Sequence, residues 1–292
     1  MTKLRQTIII AVLVFSALHF TARAPYALQS SLTDADGYAC MGDDKSRKQT
    51  EQAALADAKK NAVDKTATYI KSETKVEDFV VQKDLIEAYQ NATVKIMQEI
   101  EKSWYKDPGS GDCCKIRIKA EVIPDEKAME KAARTKDVTD NPAAPLKVQL
   151  WTDKQAYKQR EKVRIYLKGN KPFYARVLYR DAAGHLLQIL PNPLRNDNYF
   201  NGGVLYEIPS GSDRFDLEVT PPFGQEDIVL YAGTSPLGDI NLKADRDVYR
   251  VVSKPADLPL LSRGLKIQKK DGEKQTGPSE FSEETLSIRT GK

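Results

Sequence analysis

The sequence predicts an α+β chain: a small N-terminal sheet-plus-helix module followed by an all-β, sandwich-like domain. Three observations predict it. Between residues 45 and 123 a long run of helical period gives way to two alternating runs joined by a turn-rich hexapeptide. From Leu146 onward every periodic stretch alternates with period two. A segment rich in Pro, Asn and Asp, DVTDNPAAP at 137–145, separates the two patterns. The 292 residues suffice for two ordinary cores. The divisions are a signal peptide at 1–27, an α+β module with a disulfide at 35–124, a helix and linker at 125–145, a β-sandwich domain at 146–240, and a C-terminal extension with candidate edge strands at 241–292.

Lys3 and Arg5 precede an uncharged apolar run from Ile8 to Phe20, and Ala22-Arg23-Ala24-Pro25-Tyr26-Ala27 follows, which is the build of a secretory signal. The run is shorter than the roughly 20 residues of a spanning helix. Everything after it is expected in the periplasm or otherwise outside the cytoplasm. Pro25 obstructs a cut after Ala24, so cleavage falls after Ala27 or the segment stays as an uncleaved anchor.

After a short leader, Gly37 to Met41 reads as a brief strand and Asp43-Asp44 as a helix start. From Lys45 to about Ile70, Leu55, Ala58, Ala62, Val63, Tyr69 and Ile70 recur at helical spacing. The alanine-rich stripe suits close packing on a sheet better than membrane binding, which needs bulkier residues. Val76 to Val81 is expected to be extended and Lys83 to Asn91 helical. Thr93–Tyr105 and Cys113–Ile123 form a hairpin through Asp107-Pro108-Gly109-Ser110-Gly111-Asp112. A charged helix from Asp125 to about Lys136 leads into the linker.

In the second half, strands are expected at Leu146–Trp151, Val163–Leu167, Tyr174–Arg180, His185–Leu190, Val204–Ile208, Phe215–Val219 and Ile228–Tyr231. Seven short strands with turn chemistry between them are the pattern of a sandwich. Val248–Val252, Leu265–Ile267 and Leu286–Ile288 are candidate edge strands, and Asp271 to Pro278 reads as a mobile connection.

The cysteines outside the signal are Cys40, Cys113 and Cys114. An oxidising compartment favours one disulfide. Alternation places Cys114 with Ile116, Ile118, Ala120 and Val122 on the core face, and Cys113 on the other. Cys40 with Cys113 is the favoured pair, with Cys40–Cys114 the rival and a strained vicinal bridge third. Without a Cys-x-x-Cys spacing, a staple is favoured over a redox site.

The 45 basic and 41 acidic residues give +4, and three of those charges belong to Lys3, Arg5 and Arg23, so the remainder carries +1. That near-balance argues against nucleic acid as a partner. His185 is the one histidine beyond the signal, and no Ser or Cys sits in a nucleophile motif, so neither a metal site, a cofactor nor an enzyme is expected. Asp43-Asp44 and Glu283-Glu284 read as caps and surface rather than a hydrolase pair.

The most suggestive segment is Leu190–Gly203, LPNPLRNDNYFNGG, in which Asn192, Arg195, Asn196, Asn198, Tyr199 and Phe200 combine amides with aromatic rings. Such a loop at a sandwich end suits a sugar or peptidoglycan ligand, or else is a long connection whose asparagines supply turn conformations. Tyr166 and Tyr179 are the second candidates, because alternation puts Tyr166 on the charged, outward face of its strand and an exposed aromatic there marks a partner surface.

Two stretches resemble known families. From Asp36 to Val122, GYACMGDDKSRKQTEQAALADAKKNAVDKTATYIKSETKV, then KDLIEAY, then the GDC hairpin, resembles the amino-terminal α/β module of flagellar-assembly T proteins and related small outer-membrane lipoproteins. From Leu146 to Ser235, LWTDKQAYKQREKVRIYL, YARVLYRDAAGHLLQILPN, IPSG and LEVTPPFGQEDIVLYA are similar to domain of unknown function 4384. The lipoproteins' acylated cysteine is absent, so attachment does not carry over. The resemblance implies no catalytic residue; it implies a bacterial cell-envelope protein acting through contacts. The expected function is therefore a non-enzymatic interaction or assembly module whose partner is another envelope protein, with binding of peptidoglycan or another glycan through 190–203 as the alternative.

Overall fold

Gly37 has no side chain, and that lets a long helix lie directly on the first strand. In the computed structural model, which describes residues 28–73, 79–133, 140–263 and 278–292, β1 (Leu28–Cys40) is followed by α1 (Arg47–Glu73) and α2 (Phe79–Gln90). Then come β2 (Thr93–Asp107), β3 (Gly111–Ile123) and α3 (Glu126–Ala133). The three strands are antiparallel in the order β1-β3-β2. Ser46 caps α1 as a capping box: its Oγ accepts from the N–H of Gln49, whose Oε1 accepts from the N–H of Ser46 at 2.8 Å. Ala54, Ala58 and Ala62, one per turn, are fully buried against the sheet. A methyl group built on Gly37 would lie 2.2 Å from both Ala54 O and Ala58 N. Cys114, Ile116, Ile118, Ala120 and Val122 complete this core from β3.

The second half holds β4 (Val148–Thr152), β5 (Ala156–Lys158), β6 (Ile165–Gly169), β7 (Phe173–Arg180), β8 (Leu186–Leu190), β9 (Tyr199–Phe200), β10 (Leu205–Ile208) and β11 (Gln225–Gly233). It continues with β12 (Leu242–Asp245), β13 (Val248–Val251), a 3₁₀ turn, α4 (Leu258–Ser262) and β14 (Ser279–Gly291). A three-stranded sheet, β10-β6-β4, packs over β7, β8 and β11, and Ile165, Leu167, Phe173, Val177, Phe200 and Leu230 fill the space between them. The fold is thus a mix of α+β with a large β half.

One sheet crosses both halves. β14 lies between β11 and β1, giving the path β12-β13-β8-β7-β11-β14-β1-β3-β2, with β5 parallel on β14 and β9 on β7. Buried charges line this seam. On one face Arg263 pairs with Glu121 and, at 3.3 Å, with Glu283, while its guanidinium sits 4.5 Å from the Phe281 ring centroid. On the other face Lys171 pairs with Glu280 at 3.0 Å, and Glu280 also accepts from the N–H of Leu146. The paired geometry offsets what lone buried ions would lose in solvation. Asn170 donates to the carbonyls of Asn141, Ala144 and Pro145, which pins the described end of the linker.

Several expectations need correction. The leader is the first half of β1, because Ser30 and Thr33 are buried with their hydroxyls bonded, Ser30 to Glu121 at 2.7 Å. The helix begins after Ser46, not at Asp43-Asp44. Phe79–Val81 opens α2 rather than being extended. Phe215–Val219 makes only the isolated bridge Glu218–Lys162, although Val163 N still donates to Leu217 O at 2.8 Å. Leu286–Ile288 belongs to an interior strand, not an edge, and Val248–Val251 is covered by β12, which is the edge. The signal segment 1–27, residues 76–78 of the expected extended piece, linker residues 137–139, Leu265–Ile267 and residues 271–277 lie outside the described residues.

Candidate functional site

In β6, Ile165 and Leu167 point into the core, so Tyr166 and Lys168 must point out. Register then fixes their neighbours. Tyr166 lies between Trp151 and Glu207, and Lys168 between Gln149 and Leu205. Trp151 stacks on Tyr166 with ring centroids 5.8 Å apart, and Leu205 is 58% exposed. Arg164, just before the strand, pairs with Glu207, and Lys168 with Asp140 at 2.8 Å. The outer face of β10-β6-β4 is therefore a sheet surface with a half-exposed aromatic pair, an exposed leucine and paired charges at its margin. Large apolar groups on a solvent-facing sheet are the mark of a contact surface.

The 190–203 loop is built differently. Asn192 is buried: its Nδ2 donates to Ile189 O at 2.7 Å, and its Oδ1 accepts from the N–H groups of Leu194 and Arg195. Asn198 exchanges bonds with the backbone of Ala175. Phe200 is buried in the sandwich core against Phe173 and Tyr206. Arg195 pairs with Asp213 at 2.8 Å and so ties this loop to the 209–216 turn. Asn196 is exposed, and Tyr199 is exposed with its ring 5.0 Å from that of Tyr174. Asn192, Arg195, Asn198 and Phe200 are thus committed to local structure or the core, and of the residues read from this loop Asn196 and Tyr199 are the ones left open.

Tyr179 is half-buried and donates to Glu226 at 2.6 Å; burial first and this bond second push its hydroxyl pKa up. His185 sits on the surface with Nδ1 2.9 Å from Asp181, where burial works to raise the carboxyl and the His185 bonds outweigh it and hold it low. Among the described residues no three His, Cys, Asp or Glu side chains gather as a metal needs.

A cleft of about 380 Å³ lies at the Arg164 end of this face, lined by Lys162, Arg164, Ser210, Asp213, Arg214 and Phe215 among others. Lys162 pairs with Asp216 at 2.8 Å, Arg164 with Glu207 and Asp213 with Arg195, so most of its charges are already matched. The residues that the sequence reading missed are Trp151 and Leu205. The signal was present in alternation: Trp151 falls in phase with Gln149, opposite to buried Val148.

In the other half, Cys40 and Cys113 stand directly opposite each other on β1 and β3 and form the disulfide. Cys114 is a buried free thiol facing α1, its pKa raised by burial. No helix among the described residues is long and apolar enough to cross a membrane. No curated protein and no solved structure matches the chain. Residues 156–236, from β5 to just beyond β11, match the family described as domain of unknown function DUF4384, so this stretch of the sandwich half is similar to that domain.

Proposed function

We propose that the chain is a non-enzymatic cell-envelope protein that docks onto another envelope protein through the outer face of β10-β6-β4. The observation that carries this reading is the half-exposed Trp151–Tyr166 stack on the same outward sheet face as Leu205, which is 58% exposed. The signal-like segment 1–27 supports an envelope location, and the resemblance of residues 36–122 to envelope assembly modules belongs to the same reading. The glycan alternative depends on a platform of amides and rings, and Tyr199 beside Tyr174, with the exposed Asn196, is what remains of it on the surface.

The test is capture from detergent-solubilised envelopes, with isolated peptidoglycan sacculi alongside. Leu205→Asp places a charge on the face without touching the core, so a partner held by wild type and released by this variant is the expected result. Sacculus binding that disappears in a Tyr199→Ala variant, with Leu205→Asp retained like wild type, would transfer the function to the loop.

A further inference from the structure

The long sheet has two terminal strands, and they are finished differently. β2, at one end, has register breaks between Ile96 and Gln98 and between Glu99 and Glu101, which disrupt the regular row of edge groups. Bulges of this kind protect an edge from pairing. β12, at the other end, is regular over its whole length, from the Leu242–Val251 pair to the Asp245–Val248 pair.

Its free hydrogen-bonding groups follow from the ladder. Val252 N–H donates to Asn241 O at 2.9 Å, which makes residues 241 and 252 a hydrogen-bonded pair. Antiparallel pairs alternate, so 243 with 250 and 245 with 248 are also bonded, and the N–H and C=O of Leu242 and Ala244 point away from β13 into solvent. Leu242, Lys243 and Ala244 are all exposed, so nothing among the described residues covers this edge. The Leu242 and Val248 side chains are exposed on the same hairpin.

The charges on this edge complement themselves. Lys243 and Asp245 lie on one face, two residues apart; Asp245 accepts from Arg250 at 3.0 Å, and Lys243 has no ion pair among the described residues. We propose that β12 is a homodimerisation edge, pairing antiparallel with β12 of a second copy about a twofold axis through Ala244. The two alanines then exchange both N–H···O bonds, and Lys243 of each copy stands opposite Asp245 of the other, twice by symmetry. The neighbouring register, centred on Lys243, sets lysine against lysine and is disfavoured. Arg246, at φ 55°, ends the strand at the turn and limits the pairing to this short segment. The edge lies outside residues 156–236, so dimerisation would be a property of this chain rather than of the matched domain.

The test is the oligomeric state of the protein, purified as the cell processes it, by analytical ultracentrifugation over a concentration series reaching the millimolar range. Wild type is expected to dimerise reversibly. Lys243→Asp and Asp245→Lys each set like charges across the twofold and weaken self-association about tenfold or more. An equimolar mixture of the two variants restores opposite charges at both positions and forms a heterodimer. Ala244→Pro removes an outward N–H that makes no bond within the chain, so it abolishes the dimer while thermal unfolding stays unchanged. A wild type that remains monomeric overturns the proposal, as does a dimer that survives these substitutions or a mixture that fails to associate.

Discussion

The two halves of the sheet bury an apolar face with opposite materials. Under α1 the contact is made by Gly37 and a ladder of alanines, so backbone lies against backbone; in the sandwich, Phe173, Phe200, Ile165 and Leu167 fill a thicker space with large side chains. The difference predicts opposite sensitivities. The helical half should be intolerant of added atoms, and the sandwich of removed ones.

The largest effect is expected at Gly37. A Cβ there meets two backbone atoms of α1 at 2.2 Å, and backbone cannot rotate away as a side chain can. Gly37→Ala should therefore exceed the usual overpacking loss of about 1–3 kcal/mol, and in a denaturant titration followed by circular dichroism it should leave the helical half unfolded. An unfolding midpoint like that of wild type would show that α1 is free to lift, and that the close approach does not set stability.

Next comes the cross-link. Cys40 and Cys113 close a loop with a sequence separation of 73, for which chain entropy gives about 4 kcal/mol. Reduction, or Cys40→Ala with Cys113→Ala, should destabilise the helical half by that order and leave the near-ultraviolet signal of the sandwich aromatics at temperatures where the helix has melted. A simultaneous loss of both signals would mean that the seam at β14 makes the halves one cooperative unit.

The sandwich has its own pair of tests. Phe200→Ala removes a fully buried ring that touches Phe173 and Tyr206 and should cost about 3–5 kcal/mol, while Tyr199→Ala, one residue away on the exposed side, should change stability by less than about 1 kcal/mol. Equal effects would contradict the alternation that places the two rings on opposite faces.

How much of this is legible in the sequence depends on what each residue answers to. Alternation in Cys113–Ile123 separates Cys113 from Cys114 and favours the Cys40–Cys113 disulfide found here, because side-chain direction in a strand depends only on parity. The helix at 47–73 is readable from its stripe. The first half of β1 is not: Ser30, Ser31 and Thr33 look like a polar leader, and only Glu121, β3 and the C-terminal strand turn them into buried ladder positions. β14 reads as an edge for a similar reason, since its Glu280 and Glu283 look solvated until Lys171 and Arg263 arrive from distant segments. The candidate loop misleads because asparagine serves turns and ligands with the same amide. Asn192 and Asn198 spend theirs on the backbone, and Phe200 follows the parity of a two-residue strand too short to show a period.

The smallest effect compares how the two halves respond to pH. In the helical half Asp36 is held low, chiefly by its hydrogen bond from Arg117 at 2.8 Å, so its contribution is present above the ordinary aspartate value and is lost as acid protonates it. At the seam with the sandwich Glu284 behaves in the opposite sense. Burial raises it from 4.5 to about 7, with only Lys147 drawing it back. A raised carboxyl favours the folded state while protonated. Its contribution is present below the ordinary glutamate value and fades as pH rises through about 7, where the folded protein must ionise a partly buried carboxylate. Unfolding midpoints measured across this range should therefore fall at the acid end through Asp36 and decline again toward neutrality through Glu284. Glu284→Gln should remove the second decline and leave the first, and Asp36→Asn the reverse. If Glu284→Gln leaves the neutral side of the profile unchanged, water reaches that carboxylate, and the sheet is more open at β14 than its ion pairs imply.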